Sequence, residues 1–91
     1  MGAMKIWKWS LKITDTQTIE MPHGAKILCV QTQRGDPQLW ALVNEGGNLE
    51  QRIFATYGTG HTVPDSPGEY VGTYQVVGDQ LVFHVFENLR S

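Results

Sequence analysis

From Met4 to Phe86, apolar side chains return at every second position in short runs, and each run is cut by a cluster of glycine, proline, asparagine or aspartate. A period of two belongs to a strand with one wetted and one buried face, whereas a helix repeats at 3.6. Trp7, Trp9, Leu11 and Ile13 alternate with Lys8, Ser10 and Lys12, which predicts a strand over 4–13. After Thr14-Asp15-Thr16 the alternation resumes over 17–21, and the two strands are expected to form a hairpin. Ile27 to Val30 and Leu39 to Val43 are apolar without a break, as strands buried on both faces are. They are expected to pair as a central hairpin across Arg34-Gly35-Asp36-Pro37, with Trp40 and Cys29 in the core. Arg34-Gly35-Asp36 also spells an adhesion tripeptide, which is taken as turn chemistry. Further strands are predicted over 50–57, 69–77 and 80–86, with turns at 44–48 and at Gly78-Asp79. Tyr70, Gly72, Tyr74 and Val76 share one face of their strand by this reading, and Val82, His84 and Phe86 share one face of theirs. The stretch 58–68, with Pro64 and Pro67, is the longest that cannot be regular, and it leaves room for a helical turn over 65–69. About seven short strands at this spacing predict an all-β fold, a small antiparallel sandwich or barrel.

Ninety-one residues suit one domain, expected over 4–91, with Met1-Gly2-Ala3 ahead of Met4 read as a cloning scar. A charged share of 18% argues against disorder and against a coiled coil. No apolar run is long enough to span a bilayer as a helix, so no membrane partner is expected. The single cysteine, Cys29, has no intramolecular partner, which fits a reducing cytoplasm. Net charge is −2, and the basic residues Lys5, Lys8, Lys12, Lys26, Arg34, Arg52 and Arg90 are scattered among acids. Duplex nucleic acid, which rewards clustered neutralisation of phosphates, is therefore not an expected partner. Lys5, Lys8 and Lys12 interleaved with Trp7 and Trp9 read as an amphipathic edge strand whose lysines stay in water and discourage edge pairing.

No nucleophile with its base, no carboxylate pair and no metal-ligand spacing is legible, so the chain is expected to be no enzyme and to need no metal or cofactor. His23 falls in a turn, and His84 on a half-buried strand reads as a satisfied structural group. The candidate site is Tyr57-Gly58-Thr59-Gly60-His61. Its two glycines let backbone amides converge on an anion, with the Thr59 hydroxyl and the His61 imidazole as further donors. Arg52 is expected to add charge-assisted bonds to phosphate, and rings among Tyr57, Tyr70 and Tyr74 to stack on a base. The ligand-binding set is thus Gly58, Thr59, Gly60, His61, Arg52, Tyr57 and Tyr74. A homo-oligomer, most simply a dimer, is expected, because so small a sandwich has little of its own to cover its apolar strands.

Several strings are distinctive together: Lys5-Ile6-Trp7-Lys8-Trp9, Ile19-Glu20-Met21-Pro22, Gly24-Ala25-Lys26-Ile27-Leu28, Leu39-Trp40-Ala41-Leu42-Val43, Tyr57-Gly58-Thr59-Gly60-His61, Gly68-Glu69-Tyr70-Val71-Gly72-Thr73 and Leu81-Val82-Phe83-His84-Val85-Phe86-Glu87. From Met4 onward the chain resembles a family of small bacteriophage and prophage proteins that carries no established catalytic residues. The resemblance implies a setting, the cytoplasm of the bacterial host, and a protein that acts by occupying something. The expected function is a non-enzymatic anti-defence sponge for a nucleotide-like anionic signal. The alternatives are a binder of a host protein and a minor structural virion protein.

Overall fold

The structure, a computed structural model, describes residues 3–78 and 80–88. Met1 and Gly2 of the expected scar, Asp79 of the expected turn, and Arg90 lie outside the described residues. Seven strands follow one another: β1 (Met4–Ser10), β2 (Thr16–Pro22), β3 (Lys26–Gln33), β4 (Asp36–Asn44), β5 (Leu49–Gly58), β6 (Glu69–Val76) and β7 (Leu81–Asn88). They form a three-stranded sheet ordered β1-β4-β3 and a four-stranded sheet ordered β2-β5-β7-β6. All pairings are antiparallel, and the two sheets pack as a sandwich that does not close into a barrel. No helical turn forms at 65–69.

The core is made by alternate residues of both inner faces. Leu39, Ala41 and Val43 of β4 meet Met21, Phe54 and Val85 of the other sheet, and all six are fully buried. On β5 the inner set is Phe54 and Thr56, while Ile53, Ala55 and Tyr57 look outward. Leu11, just past β1, is also in the core. Ala3 is no loose end: its carbonyl accepts the Glu45 amide at 3.0 Å and extends the β1–β4 ladder.

Three expectations change in three dimensions. First, β1 and β2 are not a hairpin, since β1 pairs with β4 and β2 with β5. The chain changes sheet over 11–15. There the Gln17 carboxamide stands in for a partner strand, accepting the Lys12 amide at 3.0 Å and donating to the Lys12 carbonyl at 2.8 Å. Second, the β3–β4 hairpin forms as expected, but β3 carries a β-bulge between Ile27 and Cys29. The extra residue shifts the alternation by one. Ile27 and Val30 pack inward, while Cys29 is only half-buried, in register with Trp40. Trp40 lies on the face opposite to Leu39 and Ala41 and is half-buried too, so neither residue belongs to the core. Third, a bulge between Tyr70 and Gly72 does the same to β6, leaving Tyr70 exposed and Tyr74 buried.

The tight turn between β3 and β4 uses only Arg34 and Gly35, both with positive φ (54° and 83°), and Asp36 and Pro37 already belong to β4. Two left-handed residues match the twist of a hairpin, and asparagine fills the first such position at less cost than arginine. Arg34→Asn is expected to stabilise the fold by about 1 kcal/mol, a rise of roughly 4–8 °C in Tm. A thermal melt with an unchanged or lower midpoint would speak against this turn.

Candidate functional site

The glycine loop begins where β5 ends. Gly58 pairs with Phe83 of β7, and a turn follows in which the His61 amide donates to the Gly58 carbonyl at 3.0 Å and Gly60 has φ +89°. The His61 ring folds back over Gly58, where a Cβ would come within 2.9 Å of its Cε1 and Nδ1. The Thr59 amide donates to the Val82 carbonyl at 3.1 Å. Tyr57, Gly58, Thr59, Gly60 and His61 are thus together, but the amides of Thr59 and His61 are already engaged inside the protein. The two hollows beside the loop measure about 100 and 320 Å³, and both are lined by Asp15 as well as His61.

Arg52 and Tyr74 are placed elsewhere. Arg52 is six residues back along β5, about 20 Å at the strand rise, and faces the other sheet. Its Nε and Nη2 donate to the Glu87 carboxylate, the latter at 2.9 Å, and its Nη1 donates to the Ala25 carbonyl at 2.8 Å. The hydrogen-bonded Glu87 raises the Arg52 pKa further above its ordinary value. Tyr74, turned inward by the bulge, packs on Phe83 at a ring distance of 5.5 Å and is 3% exposed. It cannot stack on a ligand. Its hydroxyl is buried with no hydrogen-bond partner among the described residues, and burial pushes its pKa up. An orphaned hydroxyl costs roughly 1–3 kcal/mol, so Tyr74→Phe is expected to stabilise the protein by about that amount, read as a higher urea midpoint. A lower midpoint would show that the hydroxyl has a partner.

What the fold assembles instead lies on the outer face of β5, β7 and β6. The register sets Tyr57, His84 and Thr73 in one row and Ala55, Phe86 and Tyr70 in the next. Phe86 meets Tyr57 and Tyr70 edge to face, at 5.8 and 5.5 Å. Beside these rings runs a chain of hydrogen bonds. Tyr70 Oη lies 2.6 Å from Thr73 Oγ1, which is 3.0 Å from His84 Nδ1, and His84 Nε2 is 2.8 Å from Thr59 Oγ1. Thr59 Oγ1 also lies 3.3 Å from the Val82 carbonyl.

With a neutral imidazole, one arrangement of protons satisfies every contact. The Val82 carbonyl only accepts, so Thr59 donates to it and accepts from His84 Nε2–H. His84 Nδ1 then accepts from Thr73, and Thr73 from Tyr70. The Tyr70 oxygen, on a side chain that is 56% exposed, keeps its lone pairs for a partner. A hydroxyl next to an imidazole has the look of a nucleophile with its base. Among the described residues, however, no carboxylate hydrogen-bonds the ring, and the Thr59 proton points at a backbone carbonyl while the Thr73 hydroxyl donates to His84 Nδ1.

The sequence already placed His84 and Phe86 on one strand face. It did not show that Thr59 and Thr73 hold the imidazole from both sides, because those contacts come from strands paired across the sheet. At the far end of β5, an open cleft of about 410 Å³ is lined by His23, Glu50, Arg52 and Glu87. The Gly24 amide and the His23 side chain hold the Glu50 carboxyl below its ordinary value. Arg52 Nε and Nη2 face Glu87 there, and Nη1 faces the Ala25 carbonyl, with Glu50 Oε2 3.7 Å away. Among the described residues no group of three or more histidine, cysteine or acidic side chains is placed to hold a metal, and no helix is long and apolar enough to cross a membrane.

No curated protein and no solved structure matches the chain. One family model does, over residues 3–91, described as a domain of unknown function (DUF7352). Since the match covers essentially the whole chain, the protein belongs to the DUF7352 family.

Proposed function

We propose that the chain is a binding module without chemistry of its own, and that it binds a protein partner through the outer face of β5, β7 and β6. The observation that carries this reading is the joined patch of Tyr57, Phe86 and Tyr70 rings with the Tyr70–Thr73–His84–Thr59 chain. Aromatic rings with a polar handle are enriched where surfaces meet, and side chains already held by hydrogen bonds lose little freedom on binding. The patch is a sheet face, and Tyr57 and Thr73 at its margins also line open hollows of about 320 and 300 Å³. Small ligands usually occupy concave pockets of about 300–1,000 Å³, whereas flat faces suit macromolecules. In the setting that the resemblance implies, the partner is a protein of the bacterial host. A nucleotide-like anion has less support, since loop amides are engaged, Asp15 lines both hollows, and Arg52 is bound to Glu87.

Tyr70→Ala is the informative change because Tyr70 is exposed and stands outside the core. A bacterial protein retained stoichiometrically by the wild type is expected to bind at least about tenfold more weakly to Tyr70→Ala, the effect of losing a hot-spot aromatic. The melting temperature of the variant should stay close to that of the wild type. Retention that survives the substitution sinks the proposed surface. A clear thermal shift with a cyclic nucleotide returned intact would put the anion reading in its place.

A further inference from the structure

Among the described residues four strands have an edge without a ladder partner, and three of these edges are blunted. β3 and β6 carry the two bulges and lean on each other, so that a Cβ on Gly72 would stand 3.1 Å from Val30 Cβ. β2 ends in Pro22. Bulges, proline, cover and charged side chains, lysine above all, are the usual protections of an edge, and the two lysines of β1, Lys5 and Lys8, are drawn instead to Glu45 and Gln33 of their own chain. β1 is regular over all seven residues, and among the described residues its only ladder partner is β4.

The hydrogen bonds at its two ends show which backbone groups are free. The Leu11 amide donates to Pro37 and the Glu45 amide to Ala3, so the odd residues of β1 bond to β4. In an antiparallel ladder the alternate residues point the other way. Met4, Ile6, Lys8 and Ser10 therefore direct their N–H and C=O groups off the edge of the sheet. Their neighbourhood is apolar, with Met4 59%, Ile6 60% and Trp7 36% exposed.

We infer that a second copy of this chain pairs with β1, antiparallel about a two-fold axis through Trp7, joining the two small sheets into one of six strands. The register follows from the strand's own sequence. Matching outward-pointing groups to one another requires even residues to face even ones, which leaves centres at Ile6, Trp7 or Lys8. Centred on Ile6, only residues 4–8 overlap. Centred on Lys8, only 6–10 overlap, and two ammonium groups stand opposite each other, which is unfavourable. Centred on Trp7, the whole strand pairs. Met4 then meets Ser10, Ile6 meets Lys8, Lys5 meets Trp9, and Trp7 meets its own symmetry mate.

No like charges are opposed in this register. Each Lys5 lies beside the partner's indole, a favourable cation–π neighbour, and the lysines project from the sheet faces without obstructing its edge. Lys5 and Lys8 are in addition drawn toward Glu45 and Gln33 of their own chain. An interface related by a two-fold axis must be complementary to itself, and the alternation Met-Lys-Ile-Trp-Lys-Trp-Ser has that property when read against its own reverse.

Sedimentation equilibrium of the full chain at high micromolar concentration is expected to give twice the monomer mass of 10.2 kDa, and a monomer would overturn the inference. Ile6→Pro removes an outward N–H while leaving the β4 ladder intact, and edge strands tolerate proline. It is expected to weaken the dimer at least about tenfold, and a folded Ile6→Pro that still dimerises like the wild type would also overturn it. Should that variant fail to fold, a cysteine scan at positions 6, 7 and 8 in a Cys29→Ser background decides. Mild oxidation should cross-link Trp7→Cys best, because only position 7 faces itself. A maximum at Ile6→Cys or Lys8→Cys, or no cross-link at any of the three, refutes the pairing.

Discussion

Gly68→Ala is expected to cost at least about 3 kcal/mol and to leave much of the chain unfolded at 37 °C. Gly68 has φ +103°, and a Cβ there would stand 2.1 Å from the Glu87 carbonyl oxygen, 2.9 Å from its carbon and 3.3 Å from Asn88 Cα. Strained backbone for a residue with a side chain costs roughly 1–3 kcal/mol, and forced overpacking adds about as much again. The obstacle is the backbone of β7, which cannot retreat without loosening its ladder to β5. A domain of this length has a total stability of roughly 5–14 kcal/mol, so the loss is a large part of it. Gly24→Ala is the control: its φ is +77°, but nothing lies within 4 Å of the added carbon. Urea denaturation should separate the two variants clearly, and equal midpoints would show that the close approach at Gly68 is not real. The same contact bears on the candidate surface. Gly68 fixes one end of the loop against β7 and Thr59 fixes the other, so a loosened loop also releases the hydroxyl that holds His84.

Glu87→Gln is expected to destabilise the protein by about 3 kcal/mol, the low end of what removing one partner of a buried ion pair costs, since Glu50 still faces the Arg52 guanidinium at 3.7 Å. The Glu87 side chain is 5% exposed and that of Arg52 is 16% exposed. Arg52 stands on the four-stranded sheet, while the Ala25 carbonyl it also engages lies at the entry to β3 in the other, so the guanidinium ties the two layers together. Replacing both charges, as in Arg52→Met with Glu87→Leu, should recover most of the loss, because apolar pairs of similar volume do as well as buried ion pairs. Part of the deficit will remain, since the Ala25 carbonyl loses its donor. A urea series on the two single variants and the double variant measures the coupling. Near-additive losses would mean that the pair is exposed to water.

The strands themselves were legible because alternation and turn residues act over a few neighbouring positions. The β3–β4 hairpin, the common face of His84 and Phe86, and the all-β sandwich all follow from such local patterns. Gly58 and Gly60 also mark the turn that leaves β5 at 58–61. Two of the differences come from bulges. A bulge adds one residue and reverses every side chain beyond it, which put Tyr74 in the core and brought Cys29 out beside Trp40. Nothing in Ile27-Leu28-Cys29-Val30 or Tyr70-Val71-Gly72 marks the inserted residue, since either parity supplies apolar side chains for both faces. Arg52 was read as free because its partner, Glu87, is 35 positions away and meets it only when β5 pairs with β7. For the same reason the sequence showed His84 without Thr59 and Thr73. Local chemistry thus determined which segments are strands, while partner, parity and burial were decided by pairing between distant segments, whose energy depends on the whole core assembling at once.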